Sequence, residues 1–97
     1  MSDERWILTE DRLPEAEGTS VWYFFEYTGV SAGAYLGLDD MMGLPGFGGH
    51  KGFLLGDVTH WQPRVDGEAA PLAPASVMRE LPVDDPRRVR WAAAGGI

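Results

Sequence analysis

The fold of this chain is decided by one stretch, Val21-Trp22-Tyr23-Phe24-Phe25-Glu26-Tyr27. The stretch is aromatic or β-branched almost throughout, and no glycine or proline interrupts it, which is typical of a β-strand. Because side chains alternate along a strand, both of its faces carry large apolar groups. We predict a central strand that is covered on both sides. The alternative is that one face binds a ligand.

A second strand is predicted directly after the first. Thr28-Gly29 has the composition of a tight turn, and residues 30–36 then read as a strand, so the two strands should form an antiparallel hairpin. Upstream, Trp6-Ile7-Leu8 predicts a short strand, and Leu13-Pro14 ends that segment because the residue before a proline is held extended.

Residues 37–56 contain seven glycines and are predicted to form a long Gly-rich loop that crosses the sheet. Loops of this length are often functional, so the segment supplies the candidate binding residues Asp39, Asp40, Phe47 and His50. Its glycines do not follow the spacing of a phosphate-binding loop.

The stretch from Gly56 to Pro63 predicts the closing strand of the sheet, which ends at the proline. Strand alternation places Val58 and His60 on one face and Thr59 and Trp61 on the other. Thr59 and His60 have the residue types of a nucleophilic site, but opposite faces would keep them apart. We expect the His60 ring to hydrogen-bond backbone or a carboxylate.

Residues 64–97 have a different composition from the rest. Residues 64–74 read as a linker or a strap along the surface, and residues 75–81 as a helix of two turns. Asp85-Pro86 is a helix start, with an N-cap before a proline, and Gly95-Gly96 is the stop. The basic cluster Arg87, Arg88 and Arg90 docks on the protein's own acidic body, contacts an acidic partner or subunit, or is simply solvated.

Charge and composition exclude several classes of function. The net charge is −7, and residues 1–63 carry ten acidic and three basic side chains, while residues 64–97 carry five of each. Such a surface disfavours nucleic acid and anionic lipid. The chain has no cysteine, which excludes thiol catalysis and Cys-type zinc sites.

The two histidines lack metal-ligand spacing, so we expect no metal and no other cofactor. The polar N-terminus and the absence of a long apolar run favour the cytoplasm.

These motifs resemble one known family. The resemblance rests on Trp6-Ile7, on Asp11-Arg12-Leu13-Pro14, on the aromatic strand, on Ala34-Tyr35 and on residues 52–63 with Val58-Thr59-His60-Trp61-Gln62-Pro63. They are similar in order and spacing to domain-of-unknown-function family 551, whose pattern is W-I, D-R-L-P and V-T-H-W-x-P. The resemblance covers residues 6–63 and implies a small β-rich domain of phage or prophage origin. It implies no established activity, cofactor or catalytic residue, and it does not extend to residues 64–97.

We therefore expect one α+β domain over residues 1–97, with a small antiparallel sheet of three to five strands, a long Gly-rich loop and one or two short C-terminal helices. The expected function is that of a non-enzymatic phage or prophage accessory protein that binds a host protein in the bacterial cytoplasm, for example as an inhibitor of a defence system. One alternative is a small-molecule or nucleotide binder that uses an aromatic sheet face and the Gly-rich loop. Another is a small enzyme with His60 in its site. Self-association into a homo-oligomer stays open. The candidate binding residues are Trp22, Asp39, Asp40, Phe47, His50, His60, Arg87, Arg88 and Arg90.

Overall fold

A computed structural model describes residues 5–49 and 52–96, so His50 lies outside the described residues. These residues form a single antiparallel sheet and two short helices. The strands are β1 (Ile7–Leu8), β2 (Ser20–Phe25), β3 (Gly29–Leu38), β4 (Pro45–Gly49), β5 (Gly52–Leu55) and β6 (His60–Pro63), and the helices are α1 (Ala75–Met78) and α2 (Pro86–Ala93). The order across the sheet is β1-β6-β2-β3-β4-β5.

The predicted hairpin is confirmed. Strands β2 and β3 pair from Ser20 opposite Ala34 to Phe25 opposite Gly29. Gly29 closes the turn with a φ of 85°, a conformation that favours glycine. Strand β2 also pairs with β6 on its other side, so it is an interior strand, and its buried residues lie in cores on both faces of the sheet.

The predicted range of three to five strands is wrong, because the sheet has six. The two extra strands, β4 and β5, come from the segment that was predicted to be a loop. Strand β4 pairs with β3 and β5, and a β-bulge separates Tyr35 from Gly37 in its register with β3. A Cβ atom at Gly48 would lie 2.8 Å from the Cβ of Phe53. The glycine at position 48 therefore allows β5 to lie this close to β4, and it does not indicate irregular structure.

The stretch from Gly56 to Pro63 does not close the sheet. Regular pairing begins only at His60, and β6 lies between β1 and β2 inside the sheet. Residues 57–59 lie outside the strand, so alternation does not hold across them, and Val58 packs in the same core as Trp61. The prediction that Val58 shares a face with His60 is therefore wrong.

A first core covers one face of the sheet. Its buried residues are Val21, Tyr23, Tyr35, Phe47, Val58 and Trp61, with Ile7, Leu13 and Leu54 packed against them. The Trp61 indole N–H donates to the Arg12 carbonyl oxygen at 2.7 Å, which ties the segment after β1 onto this face. All of these residues belong to the part of the chain before Arg64.

A second core covers part of the opposite face. Phe24 packs there with Met78 of α1 and Trp91 of α2. Helix α1 is a single turn, shorter than the predicted span of residues 75–81. Helix α2 agrees with the prediction, since the Asp85 carboxylate accepts from the Arg87 backbone N–H and Pro86 is the first helical residue. Backbone bonds from Gly95 to Ala92 and from Gly96 to Trp91 close its end as a Schellman motif.

Residues 64–74 form a strap along the sheet, which was one of the two predicted forms. The Trp6 indole N–H donates to the Leu72 carbonyl oxygen at 2.8 Å, and the Trp22 indole N–H donates to Glu68 Oε1 at 3.1 Å. Arg5 pairs with the other oxygen of the Glu68 carboxylate. These bonds hold the strap against the face that carries the second core, and so they position both helices.

Candidate functional site

The predicted binding residues do not form one site. Trp22 lies on the face of the second core and Phe47 in the first core, so the sheet separates them. Phe47 is 0% exposed and contacts the rings of Tyr23 and Tyr35. Trp22 contacts Glu68 and the Arg64 guanidinium. Both aromatic residues therefore have packing roles.

The two aspartates lie in the turn between β3 and β4. The Asp39 carboxylate accepts from the Met42 backbone N–H at 2.8 Å, which stabilises the turn, and Asp40 is exposed. Among the described residues, no group of three or more metal-ligating side chains is brought together.

Thr59 and His60 do meet, contrary to the prediction that they are held apart. The Thr59 hydroxyl and His60 Nδ1 lie 2.8 Å from each other. The contact forms because Thr59 precedes the regular strand, so its side chain does not follow the strand alternation. A hydroxyl beside an imidazole is the pair that general-base activation uses. The His60 ring is buried, however, and lies edge-on to the rings of Trp6 and Phe24.

The three arginines of α2 have three different environments. Arg87 forms two side-chain bonds with the Asp85 carboxylate, at 2.9 and 3.1 Å, and lies 3.7 Å from the Glu26 carboxylate. Arg88 donates to the carbonyl oxygens of Arg79 and Leu81. Arg90 is exposed, and it pairs with no acidic side chain within 4 Å among residues 5–49 and 52–96. Docking on the protein's own acidic groups is thus shown for Arg87.

Two of these arginines, Arg87 and Arg90, line a cavity of about 330 Å³. The other lining residues are Phe24, residues 26–29 of the β2–β3 turn, residues 71–73 of the strap, Met78 and Trp91. Sequence reasoning missed this cavity because its walls come from the β2–β3 hairpin and from the strap and both helices, which are distant from that hairpin in the chain. The sequence signal for it was the basic cluster around Trp91. Tyr27, which also lines the cavity, is 75% exposed.

A second candidate feature is an apolar surface at the β5 edge of the sheet. On the face that carries the second core, Val30 at the start of β3 packs against that core, whereas Leu36 near the end of β3 and Phe53 of β5 are exposed. A Cβ atom at Gly46 would contact Leu36 and Leu55, and one at Gly48 would contact Phe53, so these residues share one face. The turn between β3 and β4 adds Met41 and Met42, which are 94% and 69% exposed. We call this set of residues the β5-edge surface.

The chain belongs to the family described as "Protein of unknown function (DUF551)", whose sequence profile matches residues 5–64. The match contains all six strands and ends before the helices. No curated protein and no solved structure matches the chain. Within the described residues, neither helix is long or apolar enough to cross a membrane.

Proposed function

We propose that this protein is a non-enzymatic binding protein whose β5-edge surface docks a segment of another protein. The observation that carries the proposal is the exposure of Phe53, which is 68% accessible, on the part of this sheet face that lies beyond the second core. Large apolar side chains grouped on one surface are typical of protein–protein contact sites.

The strand beside this surface supports the same proposal. Strand β5 is the last strand in the sheet order and has the sequence Gly-Phe-Leu-Leu. Exposed edge strands are usually protected by charge or proline, because their free backbone groups pair readily with another strand. Strand β5 has neither kind of protection. An extended segment of a partner can therefore pair with β5 and place alternate side chains on the apolar face.

Charge defines the chemistry of the partner. Residues 29–58 contain three acidic side chains, Asp39, Asp40 and Asp57, and one basic side chain, Lys51, a formal sum of −2. The partner segment therefore combines apolar residues with basic ones, and its association rate should fall as salt screens the attraction. In the phage or prophage setting that the family resemblance suggests, the partner is a host protein of the bacterial cytoplasm, with a component of a defence system as one case.

The test compares capture of proteins from a bacterial lysate by the native chain, Phe53→Lys and Val83→Lys. Val83 is a matched control because it is 76% exposed and lies in the link between the helices. We expect a stoichiometric partner with the native chain and with Val83→Lys, and its loss with Phe53→Lys. Equal capture by both variants, or no partner at all, would contradict the proposal.

A small enzyme is the second candidate, and the contact between Thr59 and His60 favours it. In that case the Thr59 hydroxyl, which lies on an exposed residue, is the nucleophile and His60 is its base. Replacing Thr59 with Val removes the hydroxyl with little change of shape. A hydrolytic activity that is found in the native chain and survives Thr59→Val would exclude this candidate.

A further inference from the structure

The cavity at the inner side of α2 lies between two parts of the chain. One wall comes from the β2–β3 turn within the family match, and the other walls come from the strap and α2, which lie beyond it. Its volume of about 330 Å³ is at the lower end of the range found for small-ligand sites. The cavity is distinct from the β5-edge surface, so an inference about it is independent of the proposed function.

The floor of the cavity is apolar. Phe24, Met78 and Trp91 form it, and these are the three buried residues of the second core. Leu72 of the strap adds an apolar side wall. A floor made of rings and a thioether suits a flat apolar group, because such groups stack on aromatic rings and pack well against the adaptable methionine side chain.

Among the residues that the structure describes, the rim of the cavity has one cation without an ion-pair partner within 4 Å. Arg87 pairs with two carboxylates, those of Asp85 and Glu26, which lie 2.9 and 3.7 Å from its guanidinium nitrogens, and the charge of Arg90 also acts on Asp85 without an ion pair. Arg90, one helical turn further on, lines the same cavity and forms no ion pair with any described residue. An arginine that is free to form two parallel bonds is suited to a carboxylate or a phosphate.

Tyr27 completes the rim. Its ring lies 5.3 Å from that of Phe25 in an edge-to-face arrangement, and most of its surface is in contact with solvent. A ligand in the cavity would bury part of that ring and so gain an aromatic contact that the free protein lacks.

We propose that this cavity binds a small aromatic anion, a planar ring that carries one carboxylate or phosphate group. The ring lies on Trp91 and Met78, beside Tyr27, and the anionic group bonds to the Arg90 guanidinium. The anion and the ring are both required, since an ion alone meets a single exposed arginine and a neutral ring leaves that arginine unused.

The experiment is a titration of the full ¹⁵N-labelled chain, followed by NMR, with matched probes. Indole-3-acetate and phenyl phosphate supply a ring with an anion of each kind, indole-3-acetamide supplies the neutral ring, and acetate supplies the anion alone. We expect at least one ring-bearing anion to bind with a Kd of about 1 mM or below. The shifted signals should be those of residues 26–29 and 87–91 and of the Trp91 indole N–H.

The neutral amide and acetate should each bind at least about tenfold more weakly than the ring-bearing anion, in line with the strength of a charge-assisted hydrogen bond. Arg90→Gln should weaken the binding of the ring-bearing anion by the same factor. Arg88→Gln is the matched control, because it removes the same charge from the same helix and its side chain points to the Arg79 and Leu81 carbonyl oxygens.

Three results would overturn the proposal: no ring-bearing anion binding up to about 10 mM, equal binding of acid and amide, or equal losses with Arg90→Gln and Arg88→Gln. Since Arg90 is exposed and makes no described side-chain bond, its replacement leaves the fold in place, and a lost titration would report on binding alone.

Discussion

The two cores of this protein differ in where their residues come from. All six buried residues of the first core lie between Val21 and Trp61, within the family match over residues 5–64. The second core joins Phe24 of the sheet to Met78 and Trp91, which lie beyond that match. The core on one face of the sheet is therefore formed by residues of the family match alone, and the core on the other face requires the strap and the helices. Damage to the first core should affect the whole sheet, and damage to the second should stay near α1 and α2.

The largest expected effect is that of Phe47→Ala. Phe47 is fully buried between Tyr23 and Tyr35, so the variant loses the buried ring and leaves a cavity in the first core. We expect the free energy of unfolding in urea to fall by about 4 kcal/mol. Phe53→Ala is the control, since that ring is exposed, and should cost no more than about 0.5 kcal/mol. Similar losses in both variants would show that β5 is more buried than the described fold has it.

The next effect is that of Trp91→Ala in the second core. We expect a loss of about 3 kcal/mol, at the lower end for a buried tryptophan, because the neighbouring cavity already leaves part of the ring without packed partners. Hydrogen exchange should become faster in residues 75–93 and stay slow in β2, β3 and β4. Faster exchange across the whole sheet would refute the distinction between the two cores.

Sequence reasoning succeeded where local chemistry decides the structure. The aromatic strand, the turn at Gly29 and the Asp85-Pro86 helix start each depend on a few adjacent residues, and all three are present. It failed at β4 and β5, because glycine usually indicates loops. At Gly48 the residue is instead required by a close approach between two strands, which only the assembled sheet reveals.

The candidate site was harder to predict than the fold, for a related reason. The Thr59–His60 contact depends on where β6 begins, and pairing with β1 and β2 decides that. The cavity requires the turn at residues 26–29 to meet the strap and α2, more than forty residues further along the chain. Of the eight candidate residues that the structure describes, Arg87 and Arg90 line this cavity, and the basic cluster around Trp91 was the signal for it.

A smaller effect is expected at the start of α2. Asp85→Ala removes both the helix cap and the carboxylate that binds Arg87, so the melting temperature should fall by roughly 4–8 °C. Asp85→Asn keeps an N-cap oxygen and removes only the charge, so its melting temperature should fall much less than that of Asp85→Ala. Thermal melts of the two variants separate the cap from the ion pair. Equal losses would assign the whole effect to the ion pair.

The two regions should also differ in how pH affects them. Hydrogen bonds from the Trp22 indole and from Arg5 lower the pKa of Glu68, and the hydrogen bonds of Arg87 lower the pKa of Asp85, so both carboxylates are more acidic in the folded state. The unfolded chain therefore takes up protons first as the pH falls. The stability that these groups provide is present above their ordinary pKa values of 4.5 and 3.8 and is lost below them.

The first core has the opposite dependence. Burial, and then the charge of Glu17, raise the pKa of the Tyr35 hydroxyl above its ordinary value of 10.0. Folding thus keeps that proton bound, and the stabilisation is lost as the pH rises above 10. Urea unfolding should show an acid loss that shrinks in a Glu68→Gln, Asp85→Asn double variant and an alkaline loss that shrinks in Tyr35→Phe. An acid loss that is unchanged in the double variant would mean that other carboxylates, and not the strap and α2, set the acid limit of this fold.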